Sequence, residues 1–157
     1  MDSEYWKESL LGRSHTYHIS KVIDAPLRFV YNWCVDFRED DPAIWGSKTK
    51  RIILQKTKRR VIYMSTYRGR GRAVSAVRIV TLRPPNAWHL DSVGQENDEI
   101  GDYHLASLGP RKTRLDIRFK VKYKIANAPT KEKDAMLTNK IWDKYIAALE
   151  RDYARHR

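Results

Sequence analysis

A single cysteine, Cys34, stands among the 157 residues, which excludes an internal disulfide and any cysteine-built metal cluster. No apolar run approaches the roughly 20 residues that a membrane-spanning helix needs. No internal repeat, low-complexity segment or interdomain linker interrupts the chain. The histidines, His15, His18, His89, His104 and His156, fall at no spacing that reads as a metal site or a catalytic triad. The first eleven residues, MDSEYWKESLL, are acidic and mixed, not the basic-then-apolar order of a secretion signal. A cytoplasmic protein is therefore expected, and neither a metal nor a cofactor enters the reading.

What is present points to one folded domain over 1–157, with its core at about 15–153. The length suits one hydrophobic core rather than two, and 41% hydrophobic with 11% aromatic residues excludes a disordered chain. Charge is lopsided: 31 Lys and Arg against 19 Asp and Glu give a formal +12. An excess of that size attracts polyanions, either nucleic acid or an anionic membrane. A well-solvated surface is the simpler explanation, so these partners rank below a small molecule.

Periodicity orders the elements. His15–Asp24 reads as a strand with Tyr17, Ile19 and Ile23 on one face. Pro26 suits a first helical turn, with Asp24 as a candidate cap. Leu27, Val30, Tyr31, Cys34 and Val35 then recur at helical spacing to Asp36, placing Cys34 on the apolar side as an inert core thiol. A second helical turn spans Asp40–Trp45. Strands follow at Arg51–Thr57, Arg60–Arg68, Arg72–Leu82, Trp88–Val93 and Ile100–Leu108, separated by turn signals in the manner of an antiparallel meander. The clearest strand alternates Leu115, Ile117, Phe119, Val121, Tyr123 and Ile125 with an almost wholly cationic set that includes Arg118, Lys120, Lys122 and Lys124. A long helix runs from Thr130 to about Ala154, with Leu137, Ile141, Tyr145, Ala148 and Leu149 as its apolar stripe.

This order, with Ile23-Asp24-Ala25-Pro26, the Asp36-Phe37 pair, Leu82-Arg83-Pro84-Pro85 and Tyr103-His104-Leu105 leading through Gly109 to Thr113-Arg114-Leu115, resembles the START-like or SRPBCC helix-grip superfamily. That superfamily includes pollen-allergen-like proteins, polyketide cyclases and lipid-transfer domains. The resemblance covers roughly His15 to Tyr153. It implies an α+β fold: a curved seven-stranded antiparallel sheet around the long C-terminal helix, with two short helices after strand 1. It also implies a cavity between sheet and helix. Since successive hairpins of a meander alternate ends, the Arg68–Arg72 and Gly94–Glu99 turns share one end with the approach to Pro129, and the resemblance puts the cavity mouth there.

The expected ligand-contacting residues are Tyr63, Trp88, Tyr103, Phe119, Tyr123, Trp142 and Tyr145, whose rings and hydroxyls suit a hydrophobic or amphipathic molecule, lipid-like or polycyclic aromatic. The alternative is an enzyme of the cyclase or hydrolase type acting in the same cavity. Asp102 and His104 share a strand face and would make an acid–base pair if turned inward. The resemblance instead turns Tyr103 and Leu105 inward. No catalytic residue is thereby assigned. A third reading binds nucleic acid or an acidic membrane through the cationic convex face, whose charges repeat at about 6.7 Å. That face carries no aromatic platform of the sort single-strand binding uses. The Tyr67–Arg72 stretch, YRGRGR, looks like an arginine–glycine RNA-binding segment or a phosphate loop, but a strand follows it, and a hairpin turn explains its glycines. Its arginines would still suit an anionic ligand at the mouth.

Overall fold

Strand β7 (Lys112–Tyr123) shows how alternation builds the molecule. Its Leu115, Ile117, Phe119 and Val121 are buried, while Arg114 and Arg118 on the opposite face are exposed; a period of two buries one face of a sheet. The computed structural model describes residues 13–69 and 71–156. The N-terminal stretch read above against a secretion signal, and Arg70 of YRGRGR, lie outside the described residues.

Strands β1 (Ser14–Ile23), β2 (Lys50–Lys56), β3 (Arg60–Gly69), β4 (Arg72–Arg83), β5 (Ala87–Gly94), β6 (Asn97–Gly109) and β7 form one sheet in the order β1-β7-β6-β5-β4-β3-β2. Every neighbouring pair is antiparallel, which leaves β1 and β2 as the two edges. Helix α1 (Leu27–Val35) and a 3₁₀ turn at Asp41–Trp45 connect β1 to β2, and helix α2 (Lys131–Arg155) closes the chain against the sheet's concave side. This is the expected helix-grip architecture. None of the helices among the described residues is long and apolar enough to cross a membrane.

The corner at Ala25-Pro26 has an identifiable anchor. Ala25 is fully buried, and the buried Thr113 hydroxyl at the start of β7 donates to its carbonyl at 2.8 Å. Pro26 occupies the N-cap position of α1 with an extended backbone. Asp24 does not cap the helix as expected; its backbone N–H instead donates to Glu150 of α2 at 2.9 Å. The two short elements are tied to α2 by Trp33 Nε1 donating to Asp152 (3.0 Å) and Lys144 Nζ donating to the Trp45 carbonyl (3.1 Å).

Helix α2 begins where expected, with the Thr130 side chain accepting from the Lys133 N–H. Its inner face differs from the predicted stripe. Leu149 is buried as expected, but Leu137 is exposed, and Asp134 and Ile146, outside the stripe, are buried. Polar residues occupy the inner face of the first two turns because the sheet offers them partners: Tyr123 and His15 for Asp134, and Tyr17 for Thr138. A hydrophobic period cannot register such contacts.

The turns distribute as the meander requires. Arg72 and Glu96 approach to 4.0 Å, and the Lys124 N–H donates to the Glu96 carbonyl at 2.8 Å, so the β3–β4 and β5–β6 turns share an end with the chain leaving β7. Gly71, at φ 81°, takes the left-handed conformation that explains a glycine in the β3–β4 turn. The cationic row of β7 is less solvated than its composition suggests. Lys122 is only 9% exposed and Lys124 pairs with Asp98 at 2.7 Å. Nearby, His89 and Asp102 meet at 2.7 Å, and Arg114 and Asp116 at 2.8 Å, so carboxylates interleave with the cations there.

Candidate functional site

Lateral pairing writes the cavity floor row by row. Tyr63, Arg78, Ser92, Glu99 and Val121 line up across β3 to β7. The adjacent row is Val80, Leu90, Gly101, Phe119 and Tyr17. In the next, Trp88 and Tyr103 stack with ring centroids 4.8 Å apart. Gly101 makes this surface possible, because a Cβ there would lie 2.9 Å from Tyr103 Cε2 and 3.0 Å from Phe119 Cε1. From above, α2 contributes Thr138, Ile141, Trp142 and Tyr145, while α1 and the 3₁₀ turn supply Trp33 and Trp45. Between floor and cover lies a cavity of about 270 Å³.

Four ionised side chains face this space, and they are matched in pairs. Arg51 Nη1 contacts Asp41 Oδ2 at 2.7 Å and donates to the Arg38 carbonyl at 3.1 Å, with its guanidinium 4.5 Å above the Tyr63 ring. Arg78 Nη1 meets Glu99 Oε2 at 3.3 Å, and Asn97 donates to the other Glu99 oxygen. Burial pulls Arg78 down, but Glu99 and the surrounding tyrosines hold it above its ordinary value. Ser92 Oγ, between Arg78 and Glu99 in the row, is buried and has no hydrogen-bond partner among the described residues.

Burial keeps the protons on the Tyr17, Tyr103 and Tyr145 hydroxyls. Burial, followed by Tyr63 and Glu99, places Tyr103 well above the usual phenol range. Burial likewise raises Tyr145, against a lowering influence from Arg51. Tyr17 is pushed up to about 12 by burial, although its hydroxyl shares a 2.9 Å hydrogen bond with Thr138. Cys34 lines the cavity, and burial and then Asp41 raise its thiol to about 12. At neutral pH the wall therefore presents hydroxyl donors and a protonated thiol, which is a weak nucleophile.

No family model matches the chain, and no curated protein matches it in sequence. Solved structures do resemble it. A START superfamily protein from Mycobacterium smegmatis shares 16% identity with a TM-score of 0.69, over 91% of this chain and 99% of the other. The Zhui aromatase/cyclase from Streptomyces sp. R1128 shares 12% identity with a TM-score of 0.68, over 91% and 95%. Ara h 8.0201 shares 12% identity with a TM-score of 0.66, over 91% and 99%. The chain has the START-like helix-grip fold.

Within this START-like fold, the structure brings Tyr63, Trp88, Tyr103, Phe119, Trp142 and Tyr145 to the one cavity. Tyr123 is placed elsewhere. Its hydroxyl donates to Asp134 at 2.7–2.8 Å, and His15 Nε2 meets the same carboxylate at 2.7 Å. Tyr123 has the same strand parity as Phe119, but it sits at the end of β7 under the first turn of α2, where a buried carboxylate captures it. Changing Tyr123→Phe is accordingly expected to lower stability by about 1–3 kcal/mol, the cost of stranding a buried acceptor, and to leave cavity binding unchanged. Urea unfolding beside a ligand titration checks both halves.

Asp102 and His104 lie on the convex face, bonded to His89 and Asn86 respectively, so they form no acid–base pair in the cavity. Glu99 does face it. The sequence reading missed Arg51, Arg78 and Asp41. Strand parity could not flag Arg78, because β4 is apolar on both faces, with Val74, Ala76 and Val80 buried beside Arg78 and Val77 and Ile79 exposed on the other side.

Proposed function

We propose that the chain binds an uncharged, largely apolar, ring-containing small molecule in the cavity between the sheet and α2. The observation that carries this reading is the composition of the wall: aromatic rings from both sheet and helices, with the ionised groups Asp41, Arg51, Arg78 and Glu99 matched two by two. An aromatase/cyclase among the fold neighbours supports a ring-shaped ligand. The driving force is burial of apolar surface, about 25 cal/mol per Å² before the costs of association.

The ordered Arg78–Glu99 pair favours a second reading, an enzyme of the cyclase or hydrolase type in the same space. Two things weigh against it. Both carboxylates are committed to arginines, and the raised tyrosines are poor proton donors and acceptors near neutral pH.

Trp33, Trp45, Trp88 and Trp142 line the cavity, so their fluorescence reports occupancy. Titration with 2-naphthol is expected to give saturable one-site quenching. Ser65→Phe, which places a ring in the space, should abolish it at a stability cost of about 1–3 kcal/mol. Unchanged quenching in Ser65→Phe, or no saturable quenching by any uncharged aromatic, would overturn the binding reading. Mass spectrometry of gently purified protein adds a direct observation of any retained molecule. Covalent change of a bound probe, lost in Glu99→Gln, would replace binding with catalysis.

A further inference from the structure

The convex face of the sheet is divided. Its β6–β7–β1 half, together with His89 and Asp91 of β5, carries charges that pair with one another, among them His89 with Asp102 and Arg114 with Asp116. The centre of its β2–β5 half is aliphatic. Register sets Ile52 beside Met64, Met64 beside Val77 and Val77 beside Val93, so one apolar row crosses four strands. Ile62 and Ile79 pair in the parallel row. The bulge between Ile53 and Gln55 adds Leu54 at the edge. Ile52, Leu54, Val77, Ile79 and Val93 are between 36% and 57% exposed. With strands about 4.8 Å apart, these side chains form one continuous surface rather than scattered exceptions.

The two strand-end margins of this surface are cationic. Lys50, Arg60 and Arg68 continue its strands and are exposed, as are Lys58 and Arg59 in the β2–β3 turn. The nearby carboxylates are engaged: Asp91 pairs with His89 at 3.3 Å, Glu39 accepts from the Ile53 N–H, and Asp36 pairs with Lys56. An aliphatic centre with Lys and Arg at both ends of its strands matches the two layers of an anionic bilayer surface, acyl chains beneath charged headgroups. A second copy of the chain would bring cationic margins together. A nucleic acid would leave the aliphatic centre without a partner. Protein-binding hot spots are built on Trp, Tyr and Arg, and the centre holds none of them. Edge pairing through β2 is opposed by the bulge and by lysines at both of its ends.

We infer that the outer face of β2–β5 docks on membranes containing anionic lipid. This surface lies on the opposite side of the sheet from the cavity, and the inference stands independently of what the cavity holds.

Co-sedimentation of the full chain with vesicles tests it. Vesicles of phosphatidylcholine with roughly one third phosphatidylglycerol should bind the chain, with affinity falling as salt rises, while phosphatidylcholine alone should not. The double variant V77S/V93S keeps the net charge and should lose roughly tenfold or more in affinity. The double variant K50E/R68E should lose at least as much, at about fivefold for each cation removed. Circular dichroism and urea unfolding confirm that both variants keep their fold. Absence of binding to the anionic vesicles, equal binding to both vesicle types, or binding unaffected by V77S/V93S would overturn the inference. So would light scattering that showed a dimer broken by V77S/V93S, since that result assigns the face to a second copy.

Discussion

Replacing Asp41 with alanine is expected to destabilise the protein by about 3–5 kcal/mol, the cost typical of stranding one member of a buried ion pair. The reason lies with its partner. The Arg51 side chain is 7% exposed, its Nη1 rests 2.7 Å from Asp41, and its Nε is buried with no hydrogen-bond partner among the described residues. Its guanidinium is fixed over Tyr63, where water cannot readily replace the lost carboxylate. Asp41 also accepts from the Arg38 N–H at 3.0 Å, so the approach to the 3₁₀ turn loosens with it. For a chain of this size the loss corresponds to a fall of about 10 °C in melting temperature. Asp41→Asn keeps an acceptor and should cost roughly half as much. The double variant D41A/R51M removes the stranded charge and should recover most of the stability. Urea unfolding of these proteins together with the single variant Arg51→Met closes the double-mutant cycle and gives the coupling. A loss below about 1 kcal/mol for Asp41→Ala would mean that the pair behaves like an exposed one, and the account of a rigid, charge-matched wall would fail.

The second large effect concerns ligand charge. Wild-type protein is expected to prefer 2-naphthol over 2-naphthoate by about a hundredfold, because a carboxylate entering the cavity leaves water without meeting an uncommitted cation, a penalty of several kcal/mol where 1.4 kcal/mol is tenfold. Glu99→Gln releases Arg78 from its 3.3 Å pairing and should tighten 2-naphthoate binding about tenfold or more. Binding of 2-naphthol should change by less than about threefold. The double variant R78M/E99Q, which carries neither charge, should return the preference to the uncharged probe. Stability is measured alongside, since Arg78 loses its partner in the single variant. An unchanged ratio of the two affinities in a folded Glu99→Gln protein would show that the pair does not set ligand charge. Failure of both probes to bind wild type would instead remove the cavity reading itself.

Much of the architecture was legible locally. Leu115, Ile117, Phe119 and Val121 alternate with charges, and all four are buried. Ala25-Pro26 marks the corner and Thr130 the start of α2. These signals succeed because the two- and 3.6-residue periods are properties of neighbours in the chain. Part of the aromatic wall was legible for the same reason, since Trp88 follows the parity of Leu90; alternation left the faces of 60–68 and 100–108 open, and the inward turn of Tyr103 was what the family resemblance implied.

By itself, then, the sequence determined the element order, the antiparallel sheet and the face that each well-patterned strand buries. Tertiary structure decided the chemistry of the cavity. Strand β4 is apolar on both faces, with Val74, Ala76 and Val80 buried and Val77 and Ile79 exposed. Alternation therefore could not say whether Arg78 turned inward or whether an aliphatic surface was left outside. Arg78 is held inside by Glu99, 21 residues away and two strands over, and Arg51 by Asp41 across the junction of β2 and the 3₁₀ turn. Tyr123 shows the same dependence: its parity pointed to the cavity, and the Asp134 carboxylate on α2 drew its hydroxyl elsewhere. An arginine or tyrosine stays buried only where a partner meets it in space, and those partners are set by the closure of the sheet over α2, not by the residues beside them in the chain.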